Sequence, residues 1–195
     1  MMDFHLINLD CPACGSAMAA GPHDILFLCS HCGSGAVLGN TELELVDSTA
    51  LMPVPGRRAM VWRPGWSIEA NVIVQDRRRT GGRVTPGWSG LRRFVIPAFP
   101  LALEDLTPLA RALSSNAGAT GEVPKEPCQG GTLDLVDALV FVRYLIVGSE
   151  VEKPDNLATL KVEISPVSQR IVALPFELAD GRLRCGVTGT VVRGE

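Results

Sequence analysis

Cys11-Pro12-Ala13-Cys14-Gly15 and Cys29-Ser30-His31-Cys32-Gly33, with fourteen residues between the inner cysteines, decide how the first quarter of this chain is read. Each Cys-x-x-Cys turn can aim two sulfurs at one ion. The glycine after each pair allows the tight backbone path, because it tolerates positive φ. A hairpin that brings the two turns together builds a tetrahedral sulfur cage, the geometry that Zn²⁺ prefers. Four cysteines leave no open position for water, so Cys11, Cys14, Cys29 and Cys32 are expected to form a structural site.

This pattern resembles the zinc-ribbon family over about residues 5–46. The resemblance implies a small β module that gains folding energy from its metal and offers a rigid surface. It does not specify a function, since zinc ribbons serve transcription factors, ribosomal proteins, enzyme subunits and assembly factors. Rubredoxins hold iron with similar Cys-Pro-x-Cys-Gly turns, so iron is the lesser alternative to zinc, their cysteine pairs generally standing further apart. His31 lies inside the second pair but is not needed as a ligand, His23 reads as an exposed turn residue of the hairpin, and His5 reads as structural. Cys128 falls in a polar loop and reads as accessible, whereas Cys185 falls in a strand and reads as a small core residue. All three histidines lie in the N-terminal module, which argues against a Cys–His nucleophile.

The chain has 195 residues, a formal net charge of −3, 46% hydrophobic and 20% charged residues. That balance favours a packed core over disorder. Four zinc-bound thiolates would bring the charge to about −5, a poor match for sequence-independent nucleic-acid binding. The twenty glycines and fourteen prolines favour short strands and frequent turns. No secretory signal is evident, and the longest apolar run, 133–148, contains Asp134, Asp137 and Arg143. A cytoplasmic protein without a membrane span is expected.

The expected class is α+β: a zinc ribbon over 1–46, a linker over 47–58 and a β-rich body over 59–195 with two helices. Phe4–Leu9, Ile25–Cys29 and Thr41–Val46 read as the strands of the module. In the body, Ser67–Gln75 alternates as a half-buried strand, Asp76–Gly90 reads as a loop, and Arg92–Ile96 as a second strand. Leu103–Leu113 is a helix candidate, with Thr107 and Pro108 as N-cap and first helical residue. Thr132 is read as the cap of a second helix through Val147, stopped by Gly148. Its apolar residues run round the circumference, which implies burial on several sides, with a protein-partner groove as the alternative. Leu160–Ile164 alternates, Arg170–Leu174 follows, and Gly181–Val192 reads as a hairpin. Arg93–Phe99 echoes Arg170–Phe176, and this suggests a duplicated strand–turn–strand unit with repeats 59–115 and 132–195.

Two surface clusters are candidates for partner contact. Arg77, Arg78 and Arg79, with Arg83, Arg92, Arg93 and Trp88, make a basic cluster suited to an anionic partner or to a solvated loop. Trp62-Arg63-Pro64-Gly65-Trp66 reads as a proline turn whose tryptophans pack on the core or anchor a partner. Glu150, Glu152 and Asp155 form an acidic cluster with no catalytic companion. Phosphate-binding, dinucleotide-binding, zinc-protease and nucleophile-elbow motifs are lacking in the sequence. The sequence therefore favours a non-catalytic accessory protein that binds another protein as part of a complex. A nucleic-acid-binding, transcription-related protein and a rubredoxin-like electron carrier are the alternatives.

Overall fold

The computed structural model describes residues 7–79, 82, 84–116, 118–152 and 157–193. The architecture is α+β, with two helices on a β-rich body and the cysteine hairpin at the N-terminal end. In chain order the strands are β1 (Leu26–Leu28), β2 (Gly35–Leu38), β3 (Leu43–Val46), β4 (Ser48–Leu51), β5 (Val61–Val74), β6 (Arg77–Arg79) and β7 (Val84–Thr85). After them come β8 (Trp88–Pro97), helix α1 (Leu103–Ser115), β9 (Thr120–Gly121), helix α2 (Leu135–Val151), β10 (Leu157–Thr159), β11 (Val162–Ala179), β12 (Arg182–Cys185) and β13 (Val191–Arg193).

Two long strands organise the body. β5 and β11 pair antiparallel along almost their whole length, from Val162 opposite Val74 to Phe176 opposite Val61. β8 covers the other edge of β5, from Gly65 opposite Pro97 to Val74 opposite Trp88. The free edge of β11 takes β4 in parallel at 171–173 and β12 antiparallel at 176–179. Arg93–Phe99 and Arg170–Phe176, the two echoing segments, thus lie on opposite sides of one central strand. Ser48–Leu51, inside the segment read as a linker, is a strand of this sheet.

Alternation along the strands gives the sheet two apolar faces. Ile68, Ala70, Val72, Phe94, Ile96 and Ile171 pack with Ala138, Val142, Leu145 and Ile146 of α2 and with Leu26 and Leu28 of β1. On the opposite face Val95, Val172, Leu174 and Phe176 pack with Leu109 and Leu113 of α1 and with Leu183, Cys185 and Val192. The cysteine hairpin is therefore held to the body by shared core as well as by the reciprocal Leu26–Gly131 backbone bonds.

Several sequence expectations are corrected. The turn read at Trp62–Trp66 is continuous strand: Pro64 accepts from the Ala98 amide, and a Cβ on Gly65 would sit 2.8 Å from the Ile96 carbonyl oxygen. The two segments read before and after Pro166 are a single strand, which absorbs the proline at a register shift between Pro166 and Ser168. The 76–90 loop contains the β6–β7 hairpin. Helix α1 begins a turn before Pro108, at Leu103, and the Thr107 hydroxyl donates back to the Leu103 carbonyl. Asp134, not Thr132, caps α2 by accepting from the Asp137 amide at 2.7 Å. Gly148 does not stop α2, which runs on to Val151. A Cβ at Gly148 would lie 2.9 Å from Arg111 Nη2, so the glycine admits a close neighbour instead. Phe4 to Leu6 lie outside the described residues, and 7–9 form no strand.

Candidate metal centre

The two cysteine turns are built alike. Cys11 N donates to Ser16 O at 2.8 Å and Gly15 N to Cys11 O at 2.8 Å. In the second turn Cys29 N donates to Ser34 O at 2.9 Å and Gly33 N to Cys29 O at 2.8 Å. Gly15 at φ 72° and Gly33 at φ 82° supply the left-handed residue each turn requires. The first turn follows the Asp10–Ala17 bridge, and the second joins β1 to β2, so both open toward one point.

There the four sulfurs meet. Cys11 Sγ lies 3.6 Å from Cys32 Sγ and Cys14 Sγ 3.7 Å from Cys29 Sγ, and all four lie within 4.8 Å of one another. A disulfide would need about 2.05 Å. A tetrahedron with metal–sulfur bonds of about 2.3 Å has edges of about 3.8 Å. The spacing therefore suits four separate thiolates around one ion. Among the described residues this is the one such group of ligating side chains.

The environment divides the four into an inner and an outer pair, Cys11 and Cys29 buried, Cys14 and Cys32 exposed. Burial pushes the Cys11 thiol up to about 12. The Ser34 hydroxyl, 3.3 Å away, and the Ser34 amide hold Cys32 down to about 6. The Ser16 hydroxyl and amide likewise lower Cys14. A bound cation would offset the burial of Cys11, and the serines stabilise the outer thiolates before any ion arrives.

Sequence reasoning missed a third turn of the same form. In Cys185-Gly186-Val187-Thr188-Gly189-Thr190, Cys185 N donates to Thr190 O and Gly189 N to Cys185 O, both at 2.8 Å, with Gly189 at φ 78°. Thr188 stands where each metal turn has its second cysteine, and its hydroxyl oxygen accepts from Thr190 N as Cys32 accepts from Ser34. No facing cysteine pair accompanies it. Instead Arg57 donates to the Cys185 carbonyl at 3.1 Å, and its guanidinium lies against Gly189. The signal available in the sequence was Cys-x-x-Thr-Gly-Thr beside Cys-x-x-Cys-Gly-Ser.

The remaining candidate residues fall elsewhere. Trp62 and Trp66 are buried, their indole N–H groups donating to Glu126 and to the Leu133 carbonyl. Arg77 is buried and pairs with Glu150 of α2, which also accepts from the Trp88 indole at 2.9 Å. Burial thus takes Trp62, Trp66 and Arg77 off the surface. Arg78 is exposed, and Arg92 lies over the Trp88 ring at 5.3 Å. Arg79 belongs to β6, and its side chain lies outside the described part of the structure. His5, Arg83 and Asp155 lie outside the described residues. His23 and His31 are exposed and no part of the sulfur cluster. Cys128, read as accessible, is mostly enclosed: its thiol points at the Trp62 carbonyl, 3.3 Å away, and burial pushes it up to about 12.

No helix among the described residues is long and apolar enough to cross a membrane. Comparison with protein-family models, with curated proteins and with solved structures finds no match.

Proposed function

We propose that the protein is a non-catalytic, cytoplasmic accessory protein of the zinc-ribbon type, which holds structural zinc and binds another protein through α2. The observation that carries this reading is the outer face of α2. Val136 is 69% exposed and Val140 64%, and Tyr144 and Val151 follow on the same side at helical spacing. Phe141 stacks on Tyr144, with ring centroids 5.4 Å apart, and stiffens the stripe. A helix with its other side in the core and an apolar stripe in water suits an apolar groove on a partner.

The cysteine cage supports a structural role, because four sulfurs complete a tetrahedron and leave no site for a substrate. Zinc is the proposed ion because it takes that geometry without redox chemistry. The burial of Arg77 against Glu150 weighs against nucleic-acid binding through the arginine run.

The test is affinity purification at native abundance from the source cell, with the metal content measured on the same sample. Wild type is expected to carry one zinc per chain and to retain a defined protein. Val140→Lys is expected to keep the zinc and lose that protein. A companion set identical for wild type and Val140→Lys would refute the α2 contact, and stoichiometric iron would refute the zinc assignment.

A further inference from the structure

A cavity of about 630 Å³ lies where the cysteine hairpin meets the body. Ala19, Ala20 and Asp24 of the hairpin form one side, and Met60, Phe99 and Pro127 are among the apolar residues of the others. Its size is that of a site for a small organic molecule. In its wall lies Arg63, only 8% exposed.

A guanidinium cannot be neutralised at ordinary pH, so a buried one needs compensation. One Nη1–H bond goes to the Gln129 side-chain oxygen, and the guanidinium lies 5.9 Å from the centroid of the Phe99 ring. Among the described residues no carboxylate lies within ion-pairing distance of Arg63. Asp24 acts on it only at longer range, and its Oδ2 accepts from the Gly21 amide at 2.6 Å. Cys128, also in the wall, is held as a neutral thiol by its burial. Desolvation accordingly lowers the Arg63 pKa despite both neighbours. The cation is thus presented, with donors to spare, at the wall of a cavity otherwise lined mainly by apolar side chains.

We propose that this cavity binds a small organic monocarboxylate, its carboxylate on Arg63 and its hydrocarbon part between Met60, Phe99 and Pro127. One planar guanidinium fork matches one carboxylate. A phosphate dianion would bring a second charge with no second cation among the described residues of the wall and with Asp24 beside it. The apolar lining would hold a body of several carbons, which inorganic anions lack.

The test uses the metal-loaded full chain and five compounds: hexanoate, phenylacetate, their two amides, and inorganic phosphate as a control. Thermal unfolding and calorimetric titration are the readouts. At about ten times its dissociation constant a carboxylate is expected to raise the midpoint by roughly 3–5 °C. The matched amides and phosphate are expected to leave it unchanged. Arg63→Gln should abolish the shift. Should that variant fail to fold, Ala20→Trp, at an exposed position on the rim, blocks the cavity with Arg63 intact and should abolish it too. The proposal is overturned if neither carboxylate binds wild type at millimolar concentration. Equal binding of amide or phosphate, or binding that survives Ala20→Trp, overturns it as well.

Discussion

Arg77 Nε lies 3.1 Å from Glu150 Oε2, and the two side chains are only 6% and 2% exposed. This pair fastens the β6–β7 hairpin to the C-terminal half of α2, with the Trp88 indole bonded to the same carboxylate. A residue from a run of three arginines is thereby turned inward while its neighbour Arg78 faces water. Removing one member of a buried ion pair leaves the other charge uncompensated. Glu150→Ala is therefore expected to cost about 3–5 kcal/mol in unfolding free energy. Arg77→Ala with Glu150→Ala should cost less than the sum of the single changes. A denaturant titration of the double-mutant cycle checks this, and strictly additive costs would show that the pair is not coupled.

The cage uses four of the six cysteines. Cys11→Ser and Cys29→Ser remove buried ligands and are expected to reduce the metal content from one per chain to near zero, with loss of order in the hairpin. Cys185→Ser is expected to keep the metal, since its turn has Thr188 in place of a second sulfur and Arg57 against it. Metal analysis of the three purified variants decides the point. Loss of metal from Cys185→Ser would mean that the third turn takes part.

Metal affinity should depend on pH, because thiolates bind and thiols do not. Cys11, pushed up to about 12, must lose a proton when it takes up the ion near neutral pH. Uptake is thus expected to strengthen by at least about tenfold per pH unit between pH 6 and 8. Cys32, held near 6, lies below its ordinary value, so its contribution is present above that pH and is lost as pH falls through it. A bound cation lowers it further, so release on acidification is expected below about pH 6. Competition with a chromophoric chelator across this range reads both effects, and a flat affinity would contradict them.

The turn glycines should differ in sensitivity. Both have positive φ, which costs a residue with a Cβ roughly 1–2 kcal/mol. Gly15 has open space around its missing Cβ, whereas at Gly33 a Cβ would meet Val123 Cβ at 3.2 Å. Gly33→Ala is expected to destabilise the protein more than Gly15→Ala. Melting curves of the two metal-loaded variants compare them, and the reverse order would show that Val123 yields without cost.

What was legible followed from short-range rules. The alternation of Ile68, Ala70, Val72 and Val74 marked a buried strand face, and all four are wholly or almost wholly buried in the first core. The apolar run 133–148 marked a helix. The limits of these elements were less legible, because proline and glycine were weighed as breakers. Pro64, Gly65 and Pro166 stay in strand because pairing between β5 and β11 over fourteen residue pairs outweighs their local preference. Arg77 looked like surface because nothing near it in sequence announces Glu150, seventy-three positions later.

By itself the sequence determined the sulfur cage. Two Cys-x-x-Cys-Gly turns carry their own geometry, since each glycine fixes the path that lets two sulfurs share an ion. The tertiary structure alone decided what surrounds it: the Arg77–Glu150 pair, the exposed side of α2, and the cavity with Arg63 in its wall. These depend on which distant segments the sheet brings together, and whether a charge or an apolar side chain is enclosed is settled only when its neighbours arrive.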